Sequence, residues 1–320
     1  MKNWFQFIFS MLLIVISLST FAQASAKTKR TEYSRIVAFG DSLSDVGTYG
    51  RIAAAKGGGK FTTNPGQLWL EVIADHLHLP MKPNRQEGFS LPIKFLGGFN
   101  YAQGGSRLVF DSTEPGLSAR PIATQVGYFL IENRNFQTND LVLIQGGPND
   151  IFAQLDALKT GQVTAVEALQ NVVQAADDFS VIIANIKNSG AQKVVVLNLP
   201  MIDKTPRVLT FDIQGQQLVA TMVAAFNKTL AEKVSKMDIT LIDFNSFDRQ
   251  FNENYQQLGY TDIIHPACNF ALMPTGSALF CSGKTLVEEN ADQKYKYSDN
   301  VHPTTAYSKA VGEYVFGQIQ

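Results

Sequence analysis

Cysteine is almost missing from this chain: Cys268 and Cys281 are the only two in 320 residues. No Cys-x-x-Cys or His-x-x-x-His stands nearby to complete a set with them, so no zinc site is expected, and no other metal. An excess of charge of either sign is missing as well. Lys and Arg number 27 against 28 Asp and Glu, a formal net charge of −1. That balance offers nucleic acid no basic surface and leaves no acidic tail. Neither Gly-x-Gly-x-x-Gly nor a P-loop occurs, so no cradle for a nucleotide phosphate is expected, and no cofactor. There is also no Gly-x-Ser-x-Gly elbow, which argues against the other large serine-esterase fold. Long apolar runs are confined to one place, about Phe5 to Leu18, behind Lys2 and ahead of Ala24-Ser25-Ala26. This reads as a signal peptide over residues 1–26, with an uncleaved anchor as the alternative. Export to periplasm or medium follows, and it permits the two cysteines to form one disulfide. A closed loop of that size is worth roughly 3 kcal/mol on the chain-entropy model.

What the chain does contain is an alternation. Arg35–Phe39, Asp140–Gln145, Lys193–Leu199 and Ile239–Phe244 are short, β-branched and apolar, as buried strands are. Phe95–Ala102 reads as a further strand interrupted by glycine. Between them, helical spacing runs over Gln67–His78, Ile122–Arg134, Val163–Ser189 and Gly215–Met237, and again over Thr304–Gln318. Alternating elements of this length imply βαβ units and a mostly parallel sheet covered on both faces. Right-handed crossovers would set the strand ends along one edge. Residues 27–320 therefore read as one α/β domain, with the least regular stretch, about 245–297, elaborating over that edge.

Phe39-Gly40-Asp41-Ser42-Leu43-Ser44-Asp45 closes the first strand. Taken alone, its Ser and Asp fit a helix N-cap. They also fit a nucleophile presented at the carboxyl edge of a sheet, where open α/β folds place their ligands. Other strand ends carry Gln103-Gly104-Gly105-Ser106 and Gly147-Pro148-Asn149-Asp150. Near the C-terminus, Ser298-Asp299-Asn300-Val301-His302-Pro303 puts a carboxylate three residues before an imidazole, with Pro303 suited to the first turn of the last helix. Hydroxyl, imidazole and carboxylate from opposite ends of the chain are what a serine hydrolase needs. Asp45 and Asp150 read as hydrogen-bonding supports. His76 and His78, two apart on a helix, read as surface residues, and His265 as a loop anchor.

Four blocks in order, Gly40-Asp41-Ser42-Leu43, Asn100-Tyr101-Ala102-Gln103-Gly104-Gly105, Gly147-Pro148-Asn149-Asp150 and Asp299-Asn300-Val301-His302, resemble those of the GDSL or SGNH hydrolases. The resemblance implies a flavodoxin-like, three-layer α/β/α sandwich. It makes Ser42 the nucleophile, His302 the base and Asp299 its orienter. The oxyanion hole would be the N–H of Ser42, the N–H of Gly105 (or of Gly104) and the side-chain amide of Asn149. Within the family the chain is most similar to secreted bacterial lipolytic enzymes: lysophospholipases, phospholipases A and glycerophospholipid–cholesterol acyltransferases. A lipid or lysophospholipid substrate, transient contact with a membrane or micelle, and acyl transfer to an alcohol such as cholesterol are thus implied. Carbohydrate O-deacetylases and arylesterases of the same family are the alternative activities, and a silent lipid-binding module the non-enzymatic one. The loop between Cys268 and Cys281 opens on an apolar stretch, Phe270-Ala271-Leu272-Met273, and stands as either a gate over the acyl site or a simple staple.

Overall fold

The computed structural model describes residues 33–114 and 116–319. The expected signal peptide lies outside the described residues. In chain order, strand β1 (Arg35–Phe39) leads through the one-turn helix α1 (Gly50–Ala53) to α2 (Trp69–Leu77). Strands β2 (Arg85–Gly88) and β3 (Leu91–Phe95) follow, then α3 (Ile122–Asn133), β4 (Asp140–Gln145), α4 (Pro148–Lys159) and α5 (Ala165–Asn188). Next come β5 (Lys193–Leu197), the one-turn α6 (Pro206–Leu209), α7 (Ile213–Val234), β6 (Thr240–Ile242) and α8 (Phe244–Asn254). The chain ends through β7 (Asp262–Pro266), the one-turn α9 (Ala291–Lys294), β8 (Tyr295–Tyr297) and α10 (Thr305–Gln318).

Strands β1, β4, β5 and β6 form a parallel sheet in that order. Successive side chains on a strand point to opposite faces, and here both faces are buried. Val37 and Phe39 of β1 join Val142, Ile144, Val194 and Val196 under α3, α4, α5 and α7. Ile36 and Ala38 join Leu141, Leu143, Val195 and Leu197 under α2, α8 and α10. Unbroken apolar strands and amphipathic helices on either side are two aspects of one fact, a three-layer α/β/α sandwich. At the mouth of the β1–β4 pair, Arg35 donates twice to the buried Asp140 carboxylate, at 2.6 and 2.8 Å.

Three expectations need correction. The strand expected over Phe95–Ala102 is divided: Phe95 ends β3, in an antiparallel hairpin with β2 apart from the main sheet. Glycines 97 and 98 break the run, and only the segment around Asn100 lies along β1. There Ala38 N–H donates to Phe99 O at 2.9 Å and Tyr101 N–H to Ala38 O at 2.8 Å. The stretch 245–297 opens on a regular helix, α8, whose Phe244 and Phe251 are buried against α10. Pro303 stands outside the last helix, because Thr304 is its N-cap and accepts from Tyr307 N–H.

A third, smaller apolar cluster lies beyond the sheet edge. It joins Tyr49 and Phe61 to Met273, Leu279 and Phe280. The Cys268–Cys281 disulfide, expected from the sequence, is formed within it.

Candidate active site

The turn after β1 is shaped by close approach. A Cβ on Gly40 would come within 2.9 Å of the Gln145 carbonyl, so only glycine lets β1 leave the sheet here. Gln125 then clamps that glycine from α3: its amide accepts from Gly40 N–H at 3.0 Å and donates to Gly40 O at 2.9 Å. Asp41 accepts from Leu43 N–H and from the Gln145 amide, at 2.9 and 2.8 Å. Burial is the larger influence on its carboxyl and raises the pKa to about 6 despite those donors. Ser42, between these anchors, faces a cavity.

From the other end of the chain, the loop between β8 and α10 brings in the remaining groups. Ser42 Oγ lies 2.8 Å from His302 Nε2. His302 Nδ1 lies 2.8 and 3.0 Å from the two Asp299 oxygens. A carboxylate only accepts, so the ring proton belongs on Nδ1 and the lone pair on Nε2 faces the serine hydroxyl. Asp299 also accepts from the N–H groups of Val301 and His302, each at 2.8 Å, and of Ala278 at 2.6 Å. Desolvation opposes its charge, but His302 and these donors outweigh it and hold the carboxyl below its usual value. For His302, desolvation disfavours the cation, yet the Asp299 charge and hydrogen bond carry the pKa above 6.5. The ring of Phe61 lies beside the imidazole, 5.0 Å between centroids.

Gly105 and Asn149 line the same cavity as Ser42. Gly104 N–H donates to Asp45 Oδ2 at 2.9 Å, turned away from that space, which favours the second glycine of the pair. Gly105 takes φ +84°, a conformation that suits glycine. Asn149 is the second residue of α4, whose N-cap Gly147 has φ +111° and packs so closely that a Cβ would meet the Phe226 ring at 2.6 Å. One Asn149 amide hydrogen goes to Ser106 O at 2.9 Å, and the amide has a second. The cavity measures about 600 Å³, and Phe89, Leu117, Phe152, Ile202, Leu279 and Phe280 supply its apolar walls.

Asp45 and Asp150 serve as supports, as expected. Asp45 also accepts from the N–H groups of Gly47 and Thr48, and Asp150 pairs with Arg107 and accepts from Leu108 N–H. The other histidines stay apart from the cavity: His76 pairs with Glu313 on α10 and His265 with Asp262. Gln125 and Gln145 escaped the sequence reading. A signal existed for Gln125, a polar residue at i+3 on the face formed by Ile122, Val126 and Phe129. Ala278 gave none, because its contribution is a backbone N–H placed by tertiary folding.

The sequence model of a family described as GDSL-like Lipase/Acylhydrolase matches residues 36–315. "Lipase 1" of Photorhabdus luminescens is 25% identical over 205 residues, 64% of this chain but only 27% of that protein. The "Phosphatidylcholine-sterol acyltransferase" of Aeromonas hydrophila is 23% identical over 294 residues, 88% of this chain and 73% of the relative. Among solved structures, phospholipase A1 from Streptomyces albidoflavus NA297 aligns with 90% of this chain and 100% of its own. That alignment has a TM-score of 0.47 and 14% identity.

Proposed function

Because the chain belongs to the GDSL-like lipase/acylhydrolase family, we propose that it is a serine esterase acting on the acyl esters of lipids, with lysophospholipids and phospholipids as its substrates. The observation that carries this reading is the unbroken chain from Ser42 through His302 to Asp299, opening on an apolar-walled cavity. His302 Nε2 takes the hydroxyl proton as Ser42 Oγ attacks the ester carbonyl, and then returns it to the departing alcohol. Asp299 fixes the tautomer and stabilises the imidazolium. Charge developing on the carbonyl oxygen is met by the N–H groups of Ser42 and Gly105 and by the Asn149 amide. Each such donor is worth about 10²–10³ in rate. Water then releases the acyl group, or an alcohol accepts it, a reaction suggested by the name of the sterol acyltransferase relative.

The walls favour a long acyl chain over acetyl. A volume near 600 Å³ falls within the roughly 300–1,000 Å³ typical of ligand pockets, and an acetyl group would leave most of those aromatic walls uncovered. Apolar side chains also stand exposed on the segments that edge the cavity. Phe110 precedes Glu114 and Leu117 on one side, and Leu272 precedes Thr275–Ser277 on the other. These suit transient contact with a micelle or membrane surface. The disulfide supports an exported protein.

The test pairs a fluorophosphonate probe with two substrates. Wild-type protein should label at Ser42, and Ser42→Ala should neither label nor hydrolyse, a loss of about 10⁴-fold or more. Palmitoyl lysophosphatidylcholine should be cleaved in preference to acetylated xylan. Turnover by folded Ser42→Ala would overturn the mechanism, and the reverse preference would overturn the substrate class.

A further inference from the structure

Charged side chains other than the triad's are few around the cavity. Asp41 and Glu114 are acidic, and Arg207 is the only Lys or Arg among the described residues that line it. Arg207 is fixed by three contacts. Its backbone N–H donates to Asn300 O at 2.9 Å, which ties it to the loop carrying Asp299 and His302. Its guanidinium lies over the Phe152 ring, 4.4 Å from the centroid, and Phe152 is itself a cavity wall. Its Nη2 donates to Asp156 Oδ1 at 3.0 Å. That bond engages one of five guanidinium N–H groups. Asp156 is 61% exposed, and an ion pair so open to water is weak. The guanidinium is thus held in orientation by a ring yet electrostatically unsaturated.

We propose that Arg207 is a specificity-determining residue that receives the phosphodiester of a lysophospholipid head group while Ser42 meets the ester. This rests on the reading of the protein as a lipid esterase and narrows it. In a lysophospholipid the phosphodiester sits one glycerol unit from the scissile ester, so two groups on one cavity can engage both. A guanidinium suits this ligand because its planar fork offers two parallel N–H groups to two phosphate oxygens, which an ammonium does not. The apolar walls take the acyl chain, and Arg207 discriminates by what is attached at the other end.

Palmitoyl lysophosphatidylcholine and monopalmitoylglycerol share the ester and the chain and differ in the phosphodiester. Both are presented in the same neutral detergent micelles, and kcat/KM is measured for each. The readout is the ratio of the two. Arg207→Gln should lower that ratio about tenfold through KM of the phospholipid, the size expected for one charge-assisted contact. Arg207→Lys should fall between, and Asp156→Asn, which removes the competing negative charge beside the guanidinium, should raise the ratio modestly. An unchanged ratio in Arg207→Gln that melts as wild type does would overturn the assignment. Should Arg207→Gln not fold, the other two variants decide: a ratio unmoved by Arg207→Lys and not raised by Asp156→Asn overturns it equally. Free inorganic phosphate, added as competitor, should inhibit phospholipid turnover less in Arg207→Gln than in wild type. Equal inhibition would assign its effect elsewhere and count against Arg207. Wild-type protein that cleaves neither lipid would defeat the lipid-esterase reading itself, a result distinct from cleavage of both without an Arg207 effect.

Discussion

His302 stands between a carboxylate and a hydroxyl, and in the proposed mechanism its protonation decides whether Ser42 can be activated. Only the neutral ring accepts the serine proton, so kcat/KM for a soluble ester should rise with pH and level off once the imidazole is deprotonated. Asp299 raises the imidazole pKa above 6.5. The midpoint of the rise should therefore lie above that value, and a midpoint at or below 6.5 would contradict the assignment. The same shift bears on stability. A group whose folded pKa is raised stabilises the fold at pH values below its unfolded pKa. That contribution is lost as pH rises through the folded pKa, so the gain from the His302–Asp299 pair fades on the alkaline side just as activity appears. Removing each partner should separate their roles. His302→Ala deletes the proton carrier, a loss of about 10⁶-fold in kcat, while Asp299→Asn leaves a misoriented base and costs roughly 10⁴-fold. Equal losses in single-turnover assays would mean that the imidazole transfers no proton without Asp299, which would contradict the merely orienting role given to the carboxylate.

At the scale of elements, the segment between Cys268 and Cys281 acts on the site twice. Thr275–Ser277 and Leu279–Phe280 form part of the cavity wall, and Ala278 N–H donates to Asp299 Oδ2 at 2.6 Å. Replacing both cysteines with serine should lower stability by about 3 kcal/mol, the loop-closure value for this span. It should also lower kcat for a small ester, because Asp299 loses a fixed donor. A fall in melting temperature with kcat intact below the transition would leave the disulfide as a staple alone. Much of this arrangement is legible in the sequence, and the divisions are instructive. The strands β1, β4 and β5 could be read because the residues between their ends are apolar, as burial of both faces requires. The helices α5 and α10 could be read because one face of each repeats at helical spacing. Phe95–Ala102 misled because glycine ends a hairpin there, and a short run cannot show which sheet it joins. Helix α8 escaped because Asn245, Ser246, Asn252 and Asn254 are poor helix formers, and its aromatic face only has meaning once α10 lies against it. In the site, the residues proposed to react and the supports Asp45 and Asp150 lie in short motifs, whereas Gln125 and Ala278 come from elements outside every motif.

Across the whole molecule, the proposed nucleophile follows the first strand and the proposed base lies in the loop before the last helix, so the proposed catalysis depends on how the two ends of the fold are locked together. One lock is buried. Lys296 of β8 is 1% exposed, and its ammonium lies 2.5 Å from Asp248 Oδ1 and 2.7 Å from Asn252 Oδ1, both on α8. The Tyr307 hydroxyl of α10 donates to the same Asp248 oxygen, and Met201 N–H, beyond β5, donates to the other at 3.0 Å. Burial pushes the ammonium pKa down, and Asp248 pulls it back up. One carboxylate thereby joins the segments on both sides of the 298–302 loop to the layer beneath β5. Taking away one partner of a buried pair strands the other charge, so Lys296→Met should cost about 3–5 kcal/mol in urea unfolding. Neutralising the stranded carboxylate as well, with Lys296→Met and Asp248→Asn together, should return part of that loss, because an amide oxygen still accepts from Tyr307 or Met201 at a smaller desolvation cost. Fluorophosphonate labelling of Ser42 should slow in the single variant and partly recover in the double, since the loop that carries His302 follows its two anchors. Strict additivity of the two substitutions would mean that the pair does not act as a unit, and undiminished labelling in the single variant would mean that the lock does not reach the triad.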